Sequence, residues 1–289
     1  MRKRSDSSET PVVTSDASPH PRAGPITALR VLGQGFTLAL PEDLEGMGCT
    51  IGRARPPATD VQLRFTSISR IHAYVSQAPG GILVSDMSSK NGISAADPWV
   101  RSVYHRCQRT LVHVGGRFAL GDIGLLALDA ATEQLTAAFT AYCGADAIED
   151  VDRALEAAAR GHMLVLDGAR DDDLSTLARA IHHHSVRRDY PFTVVETMPS
   201  SPAAIARLCD AAGSGTIYLD LREPQSVPSQ LARYLFSPQC YLRTIVVALS
   251  PLEVVERFGA AFLDRPERYR VCTVGFRRAP ERDDVDFFS

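Results

Sequence analysis

Two regimes of hydrophobic patterning divide the chain. In the N-terminal part, short aliphatic and β-branched runs, Phe36–Leu40, Ala73–Ser76, Ile82–Ser85 and Leu125–Leu128, are separated by Pro79-Gly80-Gly81, Asn91-Gly92 and Gly115-Gly116. Runs of that length bounded by Gly, Pro and Asn predict strands joined by turns, and several in succession predict a β-sandwich. From Ile148 the period changes. Ile148–Ala159 and Leu174–His184 carry apolar residues at helical spacing, and between them Met163–Leu166 is a short apolar run with the character of a buried strand. Helices alternating with buried strands predict an α/β layer around a parallel sheet.

Length and composition set the domain count and exclude several classes. At 289 residues the chain exceeds a single sandwich of ~100 residues, so a second domain is expected. Residues 1–24 are rich in Ser, Thr and Pro without apolar periodicity and read as a disordered tail, in which Thr10 and Thr14 are candidate phosphorylation sites. The expected order is then the tail, a sandwich over 25–132, a linker over 133–147 and an α/β domain over 148–289. A hydrophobic content of 45% and a net charge of −3 describe an ordinary globular protein without the basic excess of a nucleic-acid binder, so no direct DNA contact is expected. No apolar stretch approaches the ~20 residues that span a bilayer, and the N-terminus lacks an apolar signal core; no membrane association and a cytoplasmic location are expected. The six cysteines are scattered without a C-x-x-C pair, which predicts reduced thiols rather than a zinc or redox centre. Lysine occurs only at Lys3 and Lys90 among 31 basic residues, and alanine is abundant, a bias expected of a GC-rich bacterial genome.

Three motifs sit where turns join the strand-like runs: Ile51-Gly52-Arg53, Ser69-Arg70-Ile71-His72 and Asn91-Gly92. Their order and spacing resemble the forkhead-associated (FHA) domain, a phosphothreonine-binding β-sandwich. A phosphothreonine carries roughly −1.5 to −2 charges and three acceptor oxygens, so its receptor needs a guanidinium with hydroxyl and amide donors on loops held still. Arg53, Ser69 and Asn91 are those donor types. The resemblance implies that Arg53 and Ser69 meet the phosphate and that Asn91 holds the peptide backbone. Arg70 and Lys90 are implied rim contacts, and Gly52, His72 and Gly92 structural support, with His72 bracing a loop. One segment departs from the family. Residues 93–109 replace the usual short hairpin with its second Asn-Gly and hold Trp99, Tyr104, His105 and three arginines. They either decorate the peptide groove or cover an open sheet edge, and the cover reading is favoured.

The second domain resembles the AAA+ ATPase domain of sigma-54-dependent activators over about residues 145–285. The likeness rests on Ala178-Arg-Ala-Ile-His182, Ser185–Phe192, Gly215–Asp220, Arg243–Leu249, Arg268-Tyr-Arg270 and Pro280–Val285. A P-loop needs glycines whose N–H groups cradle phosphates, a lysine for the β/γ-phosphates, and Ser or Thr on magnesium. Here Gly168 is followed by Asp171-Asp-Asp173, and Leu174 stands where the resemblance implies the lysine. Asp220 remains of the acidic pair, with Leu221 in place of the catalytic glutamate, and the loop that contacts the sigma factor is missing. A degenerate, P-loop NTPase-like core without ATP binding is expected. His182-His-His184 cannot make one tetrahedral metal set, because consecutive helical residues diverge; Asp171–Asp173 suit a helix N-terminus. No metal, cofactor or catalytic residue is expected, and neither Cys209 nor Cys240 has a neighbouring His or Asp motif. The expectation is a non-enzymatic adaptor in bacterial Ser/Thr kinase signalling. Its partners would be a phosphothreonine-containing protein, with a Ser/Thr kinase or an AAA+ transcription activator as further candidates. The rival is a sigma-54-dependent regulator, either ATP-binding or a subunit of mixed rings.

Overall fold

The computed structural model describes residues 13–14, 24–44, 46–96, 104–144, 146–160, 163–167, 174–185, 187–196, 198–199, 201–222, 226–235, 244–248, 251–258 and 272–275. These fall into two compact units, one within Met1–Leu32 and Phe36–Asp129, the other within Gly33–Gly35 and Ala130–Ser289.

The first unit is a sandwich of two six-stranded sheets. One sheet runs in the order β1 (Val13–Thr14), β10 (Arg109–Val112), β7 (Gly81–Asp86), β6 (Ala73–Ala78), β4 (Cys49–Gly52) and β5 (Val61–Gln62). The other runs β3 (Phe36–Ala39), β2 (Ile26–Val31), β12 (Ile123–Asp129), β11 (Arg117–Leu120), β8 (Ile93–Ala96) and β9 (Tyr104–Cys107). The alternation that predicted strands is visible in β6, where Ala73 and Val75 are buried and Tyr74 and Ser76 are not. Ile51, Val75, Val84, Ile93, Phe118, Leu120 and Leu125 are fully buried in this unit. Pro79–Gly80 closes the β6–β7 hairpin as a two-residue loop, since Ala78 pairs with Gly81, and Gly80 has φ of 78°.

Two stretches differ from expectation. Val13 and Thr14, inside the segment read as a disordered tail, pair in parallel with Thr110 and Leu111. The edge of β10 not paired with β7 is where this two-residue strand joins the sheet. Residues 133–147, read as a linker, are helical through Cys143, because α1 (Ala130–Cys143) follows β12 directly. Leu135 and Phe139, one turn apart, are fully buried and anchor it. Within 93–109, β8 and β9 form a hairpin with Ile93 opposite Cys107, so β9 takes the sheet edge beside β8; Trp99 lies outside the described residues.

In the second unit α2 (Ile148–Arg160), β13 (Leu164–Asp167) and α3 (Leu174–His184) fall where the periodicity placed two helices and a strand. Beyond them come β14 (Phe192–Val195), α4 (Pro202–Ala212), β15 (Thr216–Asp220), α5 (Ser229–Leu235), β16 (Thr244–Ala248), α6 (Pro251–Phe258) and β17 (Cys272–Gly275). The five strands form one parallel sheet in the order β14-β15-β16-β13-β17. Each strand is followed by a helix wherever the chain crosses to its next neighbour, as parallel pairing requires. Ser201 caps α4 by accepting the Ala204 N–H at 3.2 Å, with Pro202 at the first helical position.

Candidate functional site

At one end of the sandwich, the loops after β4, before β6, after β7 and between β11 and β12 are tied to one another. Arg53 leaves β4 just past Gly52, and its N–H donates to the Ser69 carbonyl at 2.8 Å while Ala54 N–H donates to the Arg70 carbonyl at 3.0 Å. That approach is possible because residue 52 has no side chain: a Cβ there would lie 2.1 Å from the Arg70 carbonyl oxygen. The Arg53 Nε–H donates to the Ile68 carbonyl at 3.1 Å, which aims the guanidinium and leaves its two terminal nitrogens without a partner among the described residues.

Ser69 has a divided role. Its hydroxyl oxygen accepts the Lys90 N–H at 3.0 Å, and its own N–H donates to His72 Nδ1 at 3.0 Å. The hydroxyl hydrogen therefore stays available for an incoming acceptor. His72 is fully buried, and its Nε2 lies 2.9 Å from the Gly92 carbonyl. Since Nδ1 faces an N–H donor, Nε2 carries the hydrogen and donates it to Gly92, which fixes the tautomer. The Gly92 carbonyl also accepts the Gly121 N–H at 2.9 Å. Asn91 is exposed and donates through Nδ2 to the Ser67 carbonyl at 2.7 Å, leaving its amide oxygen and second N–H for a ligand. The loop after β7 is closed by Ser89, whose hydroxyl donates to Asp86 at 2.6 Å and accepts the Gly92 N–H at 2.8 Å. Ser88 in this loop is the one described non-glycine residue with positive φ, 56°. Holding it left-handed costs about 1–2 kcal/mol, which the surrounding bonds offset.

The structure thus brings Arg53, Ser69, Lys90 and Asn91 together at one end, with exposed Arg70 beside them and Gly52, His72 and Gly92 beneath. No carboxylate pairs with Arg53, Arg70 or Lys90 among the described residues. The acids nearest in the chain are engaged elsewhere: Asp86 by Ser89, Asp122 by the Ser67 hydroxyl, and Asp60 by the Thr50 N–H and hydroxyl at 2.7 and 2.8 Å. Those Thr50 bonds hold the Asp60 carboxyl below its usual range, against a smaller opposing effect of burial. The end of the sandwich is a preformed, net-positive anion site with two neutral donors. Ile71 and Met87, 43% and 47% exposed, add apolar surface at its rim. Sequence reasoning missed Ser67, Ser89 and Gly121. The Ser88-Ser89-Lys90-Asn91-Gly92 run offered a turn signal for Ser89, whereas Ser67 and Gly121 depend on contacts distant in sequence.

In the second unit the sheet order reverses at β13, and the crevice past the carboxyl ends of its strands is where open α/β sheets take ligands. Asp220 ends β15, and both its oxygens are held by Arg222, through Nε at 3.0 Å and Nη2 at 2.6 Å. Burial pushes this carboxyl upward, but the Arg222 bonds and charge outweigh it and hold the group below its usual range. Asp167, ending β13, is pushed up by burial and by Glu253. Leu174 and Leu221 are buried to 1% and 0% exposure and belong to the core; Gly168 and Asp171–Asp173 lie outside the described residues. His182 meets Thr216 Oγ1 at 2.9 Å through Nδ1 and packs on Phe192, while the His183 and His184 rings meet edge-on. Cys49 is buried to 1% exposure, and burial together with Asp60 pushes its thiol up to about 12, which keeps it protonated near neutral pH.

The sandwich carries its loop-borne anion site at one end, the arrangement of a recognition domain. The model of the FHA domain matches residues 49–121, and this part of the chain is an FHA domain; the C-terminal region is unassigned. Among similar solved structures is the FHA domain of the CT664 protein from Chlamydia trachomatis, 26% identical, covering 35% of this chain and 95% of that one with a TM-score of 0.29. Another, described as an analysis of phosphothreonine-dependent FHA domain interactions, is 23% identical over 35% of this chain and 94% of that one, with a TM-score of 0.29. The FHA-1 domain of Mycobacterium tuberculosis Rv1747 is 21% identical over 37% of this chain and 100% of that one, with a TM-score of 0.27. No curated protein matches the sequence. Among the described residues no helix is long and apolar enough to cross a membrane.

Proposed function

We propose that the protein is a phosphothreonine-dependent adaptor in bacterial Ser/Thr kinase signalling whose second unit is a non-catalytic, degenerate AAA+-like core. FHA domains bind phosphothreonine-containing proteins. The observation that carries the reading to this chain is the divided role of Ser69. Its oxygen accepts the Lys90 N–H, so the hydroxyl hydrogen is left for a ligand, as are the terminal nitrogens of Arg53. A phosphate oxygen accepts from both, and the Asn91 amide, steadied on Ser67, takes the peptide backbone. Charge-assisted bonds contribute roughly 1.5–3 kcal/mol each, and a micromolar complex needs about −8 kcal/mol, so two or three of them account for most of the affinity.

For the second unit, the support is that the lysine position is a core leucine, Leu174, that Leu221 is likewise buried, and that Asp220 already has a cation in Arg222. A carboxylate clamped by a guanidinium on both oxygens is a poor magnesium ligand. The unit then serves as a docking surface, toward itself or an AAA+ transcription activator. The competing reading, an ATP-binding sigma-54-dependent regulator, requires Arg222 to release Asp220.

Calorimetric titration of wild-type protein and Arg53→Ala with a phosphothreonine peptide and its unphosphorylated twin, and of wild type with ATP and magnesium, tests both halves. Phosphate-dependent heat that is lost in the variant, with none from ATP, is expected. Equal binding of the two peptides sinks the recognition reading, and ATP binding sinks the pseudo-ATPase reading.

A further inference from the structure

The hairpin that departs from the family pattern brings one more cation to the recognition end. Arg106 lies on β9 opposite Ser94, and its guanidinium covers Gly92: a Cβ on that glycine would sit 2.6 Å from Nε and 2.9 Å from Nη2. Gly92 has φ of 77°, so this position favours glycine for its backbone conformation as well as for the space beneath the arginine. Arg106 is exposed, and no ion pair involves it among the described residues. Along the chain Lys90, Asn91 and Gly92 are consecutive. The Ser69 hydroxyl binds the backbone at one end of this triplet and the Arg106 guanidinium packs on the other, so the exposed Asn91 amide lies between them.

We propose that Arg106 is a specificity-determining residue that selects phosphothreonine peptides bearing a carboxylate side chain near the phosphothreonine. The inference rests on the phosphothreonine reading above and deepens it. An extended peptide advances about 3.3 Å per residue, so a strand that places its phosphate at Arg53 and Ser69 and crosses Asn91 carries a side chain past Arg106 within about two to four residues. Among the described residues no carboxylate pairs with the Arg106 guanidinium. Asp86 is bound by Ser89 and Asp122 by Ser67. Arg53, Arg70, Lys90 and Arg106 outnumber the carboxylates of Asp86 and Asp122, so the field over the groove is positive before a peptide arrives, and an acidic side chain at the Arg106 flank meets a cation other than the one that holds the phosphate. Arginine suits this role because its planar fork meets a carboxylate with two parallel bonds.

The test is fluorescence anisotropy on the full chain with a phosphothreonine peptide of alanine flanks and a set in which glutamate replaces alanine at each flanking position in turn. Wild type is expected to gain about fivefold in affinity at one position or two adjacent positions, the scale of an exposed ion pair. Arg106→Gln is expected to lose that gain while binding the alanine-flanked peptide as wild type does, at an unchanged melting temperature. Arg106→Glu is expected to prefer lysine at the same position. A flat glutamate scan in wild type, or a scan identical in Arg106→Gln, overturns the proposal. So does equal weakening of every peptide, which makes Arg106 a phosphate ligand or a packing residue. Failure of the alanine-flanked phosphopeptide to bind wild type, with the glutamate set also silent, instead removes the phosphothreonine reading and this inference with it.

Discussion

Replacing Gly52 by alanine tests whether the close approach of two backbones builds the recognition end. The added Cβ would stand 2.1 Å from the Arg70 carbonyl oxygen and 2.9 Å from the Ile71 Cα. Carbon and oxygen tolerate about 3.3 Å at closest, so β4 and the start of β6 must separate by roughly 1.2 Å. Three bonds lie along that seam: Arg53 N–H to Ser69, Ala54 N–H to Arg70 and His72 N–H to Ile51, between 2.8 and 3.0 Å. A shift of that size breaks two or three of them at about 1 kcal/mol each and adds about 1–3 kcal/mol of overpacking. The expected loss is about 3–6 kcal/mol, which for a domain of this size lowers its melting temperature by at least ~12 °C. Gly124→Ala is the matched comparison, because the two nearest atoms to its Cβ, the Leu32 Cδ1 at 3.3 Å and the Tyr104 hydroxyl at 3.5 Å, are ends of side chains, and the Leu32 Cβ at 3.7 Å is at ordinary contact distance. It is expected to cost less than about 1 kcal/mol. Scanning calorimetry of both variants, with phosphopeptide titration alongside, decides the matter. If Gly52→Ala melts within ~2 °C of Gly124→Ala, the steric account of the motif glycine is wrong.

Three further outcomes follow from the same contacts. His72→Ala leaves the Ser69 N–H unpaired while Gly92 keeps its bond from Gly121, so a loss of about 2–4 kcal/mol in urea unfolding and faster amide exchange at Ser69 are expected; unchanged exchange there contradicts the brace. The Cys49 thiol, pushed up to about 12, stays protonated when folded but ionises when unfolded above about 8.5–9. The unfolded chain then binds fewer protons, so Cys49 removes about 1.4 kcal/mol of stability per pH unit from about pH 9 toward 12, and Cys49→Ala is expected to show a shallower alkaline decline. Asp220, held below its usual range by Arg222 despite burial, adds stability present above its unfolded value near 3.9 and lost as the pH falls through its folded value. In Arg222→Met its carboxyl carbon should titrate at higher pH by NMR, and the acid limb of the stability curve should flatten; an unmoved titration contradicts the clamp.

The sandwich and its three donors were legible because each depends on local chemistry. Gly52, the Ser69–His72 run and Asn91-Gly92 are turn residues whose types and spacing survive without knowledge of the partner strands, and α2 and α3 carry strong apolar periodicity at Val151, Leu155, Leu177 and Ile181. Helix α1 was illegible for the opposite reason. Its anchors Leu135 and Phe139 are embedded among alanines and threonines, which blur the contrast between faces. Strand β1 has only two residues, and its pairing partner lies almost a hundred residues on at Thr110. The position of Arg106 over Gly92 needs the register of the β8–β9 hairpin, and no propensity sets that.

The Gly92 carbonyl accepts from both His72 and Gly121. One oxygen is therefore common to the loop before β6, the turn after β7 and the turn between β11 and β12, and none of the three can open alone without forfeiting a bond that belongs to another. The recognition surface behaves as a single rigid tile already set before a peptide arrives, so little ordering entropy opposes binding. The tile also insulates its own margin: Arg70, Lys90 and Arg106 project from its rim and hold none of these bonds with their side chains. Their identities are free to drift with the preferences of a changing partner while the phosphate-reading centre stays constant, which lets one scaffold acquire new clients through substitutions that leave its folding untouched.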